Sequence, residues 1–120
     1  CVQAIRNEPL TIYGDGKQTR SFCYVDDLID GLILLMNSDI QVPVNLGNPK
    51  EFTMIDLADE ILKLQDSSSG FVINELPEDD PQRRCPDISL ASNKLGWNPN
   101  INLRQGLLKT LDWFRGILNE

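Results

Sequence analysis

The sequence contains no histidine. That removes the side chain whose proton moves most readily near neutral pH, and with it the commonest metal ligand. Neither a Ser-His-Asp triad nor a zinc site with histidine can be assembled from what is left. Cysteine is scarce: Cys1, Cys23 and Cys85 form an odd, scattered set. Such a set points to a reducing compartment and free thiols rather than a disulfide framework. Positive charge is short as well, 11 Lys and Arg against 18 Asp and Glu, for a formal net charge of −7. That argues against a general nucleic-acid or anionic-membrane surface, which needs a basic footprint. An anion bound by this chain must be held by a few local arginines working against the overall field. No apolar run approaches the ~20 residues of a membrane-spanning helix. No signal-peptide pattern opens the chain, and there is no internal repeat or low-complexity tract. What remains is 41% hydrophobic and 24% charged over 120 residues, an ordinary globular composition with room for one small domain.

The pattern of apolar residues is mixed α and β. Cys1-Val-Gln-Ala-Ile-Arg6 reads as the tail of a helix, stopped by Asn7-Glu-Pro9. Residues 10–13 form a short apolar strand that enters a glycine turn, and residues 20–25 read as a second strand. Asp26 or Asp27 then serves as N-cap of a helix running to about residue 37. Its Leu28, Ile29, Leu32, Ile33, Leu35 and Met36 cover more than half its circumference, which predicts burial on two sides. Residues 42–46 read as a strand ended by Gly47-Asn-Pro49. Thr53 and Asp56 make a capping box for a helix to about residue 65. Residues 71–76 read as a strand, and residues 77–86 as a charged, proline-bounded loop. A short helix begins near residue 88, with Gly96 as its stop. Asn102 caps the last helix, whose Leu103, Leu107, Leu111, Phe114 and Leu118 fit helical spacing.

The stretch Tyr13-Gly-Asp-Gly-Lys-Gln-Thr-Arg-Ser-Phe-Cys-Tyr-Val-Asp-Asp-Leu28 carries the chemistry. Its glycines allow a close bend of the backbone. Arg20 leaves that bend with a planar fork that matches a phosphate. Two motifs within it are decoys. Tyr13-x-x-x-Lys17 has the catalytic spacing of short-chain dehydrogenases, but that chemistry needs a helix to put both residues on one face, and two glycines lie between them. Gly14-x-Gly16-x-x-Thr19 nearly spells a dinucleotide fingerprint, yet it lacks the third glycine and leads into a strand instead of a helix.

Other candidates each have a plain alternative. Arg84 is a phosphate ligand or a loop charge balanced by Glu78, Asp79 and Asp80. Asp87 accepts from a ribose or caps the next helix. Tyr13 stacks on a base or packs at a strand end, and Trp97 and Trp113 read as core or interface residues. The acidic trio has no second cluster to make a metal site. Cys23 and Cys85 read as inert thiols.

Four segments together resemble a known family: residues 8–28, Val44-Asn-Leu-Gly47, Asp79-Asp-Pro-Gln-Arg-Arg-Cys-Pro-Asp87 and Leu95-Gly-Trp97. They are similar to the C-terminal, substrate-binding part of the extended short-chain dehydrogenase/reductases that modify nucleotide sugars, the NAD-dependent epimerase/dehydratase family. The resemblance covers essentially the whole chain. The Asp-Asp-Pro…Arg-x-Pro-Asp loop tilts it toward the branch that decarboxylates UDP-glucuronate to UDP-xylose, although Cys85 stands where a basic residue is expected. dTDP-glucose 4,6-dehydratases and nucleotide-sugar 4-epimerases are the alternatives within the family. A non-catalytic binding module is the alternative outside it.

The resemblance implies an α/β fold with a helix and a strand, residues 27–37 and 42–46, that pack on a Rossmann domain. It implies that Leu10, Thr11 and Tyr13 lie along uracil and ribose, that Arg20 meets the diphosphate with Gln18 and Thr19 in the same wall, and that Arg84 and Asp87 hold phosphate and ribose. It implies a UDP-sugar substrate, no nucleic-acid or membrane partner, and a homodimeric full-length enzyme. NAD and the true Tyr-x-x-x-Lys are expected to lie before Cys1, so this chain alone is expected to be inactive and prone to oligomerise. A cytoplasmic location is expected, or a Golgi-lumen one in a eukaryote.

Overall fold

The computed structural model describes residues 1–76, 78 and 81–118. Nine elements follow in order: α1 (Val2–Ile5), β1 (Leu10–Tyr13), β2 (Thr19–Ser21), α2 (Val25–Met36), β3 (Glu51–Thr53), α3 (Met54–Gln65), β4 (Phe71–Asn74), α4 (Ser89–Leu95) and α5 (Leu103–Leu118). They build two small sheets. β1 pairs with β4 in parallel, Leu10 opposite Phe71 and Tyr13 opposite Asn74. β2 pairs with β3 antiparallel, Arg20 opposite Phe52.

A parallel pair cannot be closed by a hairpin, so the chain must travel out and back between its strands. That excursion carries β2, α2, β3 and α3. The core forms where α3 and α5 close over β1. Alternate residues of a strand share a face, so Leu10 and Ile12 both turn inward, onto Ala58 and Ile61 of α3, Leu107 of α5 and Ala4 of α1. Leu111 of α5 is fully buried.

Local signals placed several ends correctly. The capping box is complete: Asp56 N donates to Thr53 Oγ1 at 3.0 Å and Thr53 N donates to Asp56 Oδ2 at 3.1 Å. Gly96 stops α4 in the left-handed region at φ 63°. Asn102 Oδ1 accepts from Gln105 N at 2.9 Å at the start of α5.

Elsewhere tertiary contacts decided. The strand expected at residues 20–25 is only Thr19–Ser21, because α2 begins at Val25 after Tyr24. Neither aspartate is the N-cap. Asp26 and Asp27 sit in the first turn. Asp27 is buried and its Oδ2 accepts from Asn100 N and Ile101 N at 3.0 and 2.8 Å. The Trp97 indole N–H donates to the Asp27 carbonyl at 2.9 Å. A carboxylate needed by a distant loop is not free to cap its own helix.

The strand expected at residues 42–46 is absent, since no described residue offers that segment a ladder. β3 forms instead, where β2 provides an edge. β4 is shorter than residues 71–76, and its side chains are exposed on both faces. Among the described residues, α2 is not buried on two sides. Gly31 lets Trp97 approach so closely that a Cβ would lie 2.9 Å from the indole. The other side leaves Ile29, Leu32, Ile33 and Met36 exposed, Met36 at 83%. Trp97 is in the core, whereas Trp113 is exposed and packs edge-on to Phe114. Of the acidic trio, Asp79 and Asp80 lie outside the described residues, as does Pro77.

Candidate functional site

β1 ends in the turn that organises the site. Gly14 and Gly16 have φ of 66° and 71°, in the left-handed region that glycine tolerates best. The turn is closed from inside. Gln18, buried, donates its side-chain amide to the Tyr13 carbonyl at 2.7 Å. The Gly16 carbonyl accepts from Ile55 N at 3.2 Å, and a Cβ at Gly16 would lie 2.5 Å from Ile55 Cγ1. This packing decides against a dinucleotide cradle. Gly16 faces Ile55 of α3 and Gly14 faces Leu76, and the chain continues into β2. The N-terminal N–H groups of α3 that reach the turn, those of Met54 and Ile55, are already given to the Gln18 and Gly16 carbonyls and not to a pyrophosphate. The described residues therefore do not fit NAD at this turn.

β2 leaves the turn with Arg20 and Ser21 and runs beside a second segment. Thr19 N donates to the Gln82 carbonyl at 2.9 Å, and Thr19 and Arg83 form a parallel bridge. Ser21 Oγ donates to the Arg84 carbonyl at 3.2 Å. Asn45 Nδ2 donates to the Asp87 carbonyl at 3.3 Å, and a Cβ at Gly47 would meet Pro86 at 2.9 Å. The thiol of Cys85 donates to the Pro49 carbonyl at 3.3 Å. Residues 82–87 are thus laced on one side to β2 and on the other to residues 45–49.

Between these segments lies an open cleft of about 760 Å³, lined by Arg20, Arg84 and Asp87 together with Arg83, Asn45 and Cys85. Arg20 also lines an adjoining cleft of about 230 Å³ with Thr11, Tyr13 and Gln18. Its guanidinium donates to the Thr19 carbonyl at 2.7 Å. Arg20 and Phe22 line both spaces, and Arg20 is the charged one.

The charges are unequal in their commitments. Arg83 grips Glu51 through two nitrogens, Nε to Oε1 at 2.8 Å and Nη2 to Oε2 at 2.6 Å. Thr19 Oγ1 donates to the same Oε1 at 2.7 Å. These bonds, Arg83 first and Thr19 second, pull the Glu51 carboxyl down to about 2. Arg84 makes no side-chain ion pair with a described residue. Asp87 Oδ1 accepts from both Ser89 N and Ser89 Oγ, which lowers its pKa. One of its oxygens therefore holds Ser89, the first residue of α4, and the other has no bond to a described residue.

Of the residues expected from sequence, Arg20, Arg84 and Asp87 share one cleft, and Thr11, Tyr13 and Gln18 share the other with Arg20. Leu10 lines neither; its side chain is in the core. Thr11 is tied to Gln3, which bonds both its hydroxyl and its backbone N–H. Gln18 braces the turn with its amide instead of offering it to a ligand. Among the described residues, the loop arginine paired with a carboxylate is Arg83, and its partner is Glu51.

Sequence reasoning passed over Glu51, Asn45 and Ser21. Glu51 and Arg83 are separated by 32 positions, and no local pattern couples residues that far apart. Among the described residues, no group of three acidic or sulfur side chains could hold a metal ion.

A family model described as GDP-mannose 4,6 dehydratase matches residues 1–110. UDP-glucuronic acid decarboxylase 1 of Arabidopsis thaliana is 51% identical over 119 residues, covering 98% of this chain and 27% of that protein. The crystal structure of a UDP-glucose 4-epimerase from Thermotoga maritima, with UDP-glucose, matches with a TM-score of 0.92 at 28% identity, over 97% of this chain and 38% of that one. A UDP-glucuronic acid 4-epimerase from Bacillus cereus, in complex with UDP-glucuronic acid and NAD, matches with a TM-score of 0.88 at 29% identity, over 96% and 38%. The chain spans about a quarter of the length of the curated relatives it matches. A match over nearly the whole chain in sequence and in backbone shows that this chain belongs to the GDP-mannose 4,6 dehydratase family, within the extended short-chain dehydrogenase/reductases.

Proposed function

We propose that this chain is the nucleotide-sugar-binding part of an NAD-dependent UDP-glucuronate decarboxylase. The observation that carries the proposal is the meeting of Arg20 and Arg84, 64 positions apart in sequence, on one open cleft. In a chain of net charge −7, two guanidiniums on one cleft mark a place for a dianion. A diphosphate offers oxygens to both forks at once. Asp87 stands on the same cleft with an oxygen available to a hydroxyl donor, as a ribose requires. Tyr13 and Thr11 border the adjoining space, whose size suits the nucleoside side of the ligand.

This chain's share of the work is to bind and orient. Hydride chemistry is supplied by NAD when it is bound; the glycine turn does not fit that cofactor, and the reading assigns NAD to the part of the enzyme outside the quarter that this chain spans. The 51% identity to a UDP-glucuronic acid decarboxylase supports the decarboxylase reading over a 4-epimerase or a 4,6-dehydratase. The same reading carries a homodimeric full-length enzyme. It also carries a cytoplasmic location, or the Golgi lumen in a eukaryote. Among the described residues no helix is long and apolar enough to cross a membrane.

The test uses the full-length gene product. UDP-glucuronate should release carbon dioxide and yield UDP-xylose in the presence of NAD. Arg20→Ala should weaken UDP binding, measured calorimetrically, by about 1.5–3 kcal/mol, the size of a hydrogen bond to a charged group. An unchanged dissociation constant removes Arg20 from the site. Epimerised product without carbon dioxide moves the enzyme to the epimerase branch.

A further inference from the structure

We propose that Glu51 and Arg83 are positioning residues for the nucleotide-sugar site: the pair pins residues 82–87 against β2 and so presets Arg84 on the cleft that Arg20 also lines. The inference rests on the reading of that cleft as a diphosphate site. Arg84 holds no ion pair of its own among the described residues, so its place depends on what holds its neighbours. Ser21 Oγ holds the Arg84 carbonyl and residues 45–49 hold the far end of the loop; the holds on the residues just before Arg84 converge on Thr19 and Glu51. The Thr19 backbone bonds the loop at Gln82, its hydroxyl bonds Glu51, and Glu51 takes two of the three guanidinium nitrogens of Arg83. A bidentate Arg–carboxylate pair fixes direction as well as distance. Of two adjacent arginines, one is consumed by a carboxylate from the neighbouring strand and the other is left for the ligand. Presetting a loop lowers the ordering cost that a ligand would otherwise bear on binding. The pair is partly exposed, its side chains 72% and 22% accessible for Arg83 and Glu51. Its worth to global stability is therefore small, and its effect should appear in binding.

The experiment measures UDP and uridine affinity of the full-length protein for Glu51→Gln, Arg84→Ala and the double exchange Glu51→Arg with Arg83→Glu. Glu51→Gln should raise the UDP dissociation constant about three- to tenfold, the equivalent of one side chain's ordering cost, and leave uridine binding unchanged. Arg84→Ala should raise it about 10- to 100-fold, as expected for losing a charged hydrogen bond. The double exchange should recover part of the Glu51→Gln loss. If Arg84→Ala leaves UDP affinity unchanged, the diphosphate reading itself falls. If Arg84→Ala weakens UDP binding and Glu51→Gln does not, that reading stands and the positioning role is overturned. Equal loss of UDP and uridine in Glu51→Gln also overturns it, since the pair would then support the fold and not the phosphate grip.

Discussion

Asp26 and Asp27 are adjacent and chemically identical, yet replacing them should give very different results. Asp27 is 5% exposed. Its Oδ2 accepts two backbone hydrogen bonds, from Asn100 and Ile101, that hold the connection between α4 and α5 against α2. A hydrogen bond to a charged group contributes about 1.5–3 kcal/mol. Two such bonds share one oxygen here, so they do not add in full. Asp27→Ala also strands two partly buried N–H groups. The expected cost is about 2.5–4 kcal/mol, a large share of the ~5–15 kcal/mol that holds a typical domain.

Asp27→Asn keeps the shape and a neutral acceptor, and should cost about half as much. Asp26 is 61% exposed and lies 3.9 Å from Lys109 Nζ, so Asp26→Ala should cost no more than ~0.5 kcal/mol. Urea unfolding followed by tryptophan fluorescence suits the measurement, because the indole of Trp97 is bonded to the Asp27 carbonyl. That bond uses the backbone and survives in all three variants. An Asp27→Ala variant as stable as Asp26→Ala would refute the account of Asp27 as the tie between α2 and the α4–α5 connection.

Two further outcomes are expected. Because its bonds to Arg83 and Thr19 lower the Glu51 pKa from the usual 4.5 to about 2, the clamp is fully present above pH 4.5 and is lost as pH falls from there toward 2; an NMR titration of the Glu51 side-chain carbon with a midpoint near 4.5 would contradict the bidentate pair. Expressed alone, this chain should self-associate through the open faces of α2 and β4, where Ile29, Leu32, Ile33, Met36, Val72 and Ile73 are exposed; light scattering from a stable monomer that melts cooperatively would count against it.

Much of the local structure was legible in the sequence. The Thr53–Asp56 box, the glycine turn, the Gly96 stop and the apolar spacing of α5 are decided within four or five residues, and short-range chemistry is what a sequence displays directly. The composition was enough to exclude histidine chemistry, and the glycine turn singled out Arg20, which lines the cleft.

What only tertiary structure decided are the pairings across distance. A strand at residues 42–46 was plausible by propensity and absent for want of a partner, while β3 formed because β2 offered an edge. Asp27 was suited to capping by position and was claimed instead by backbone 73 and 74 residues further on. Leu10 looked like part of a ligand wall and went to the core, because the parallel pairing of β1 with β4 turned its side chain toward α3. Which of two neighbouring arginines is held in an ion pair depended on Glu51, 32 positions from Arg83. Hydrogen-bond partners and burial are properties of the closed chain: each residue carries its own preferences, but a carboxylate or a strand edge acquires its role from whatever the fold brings beside it.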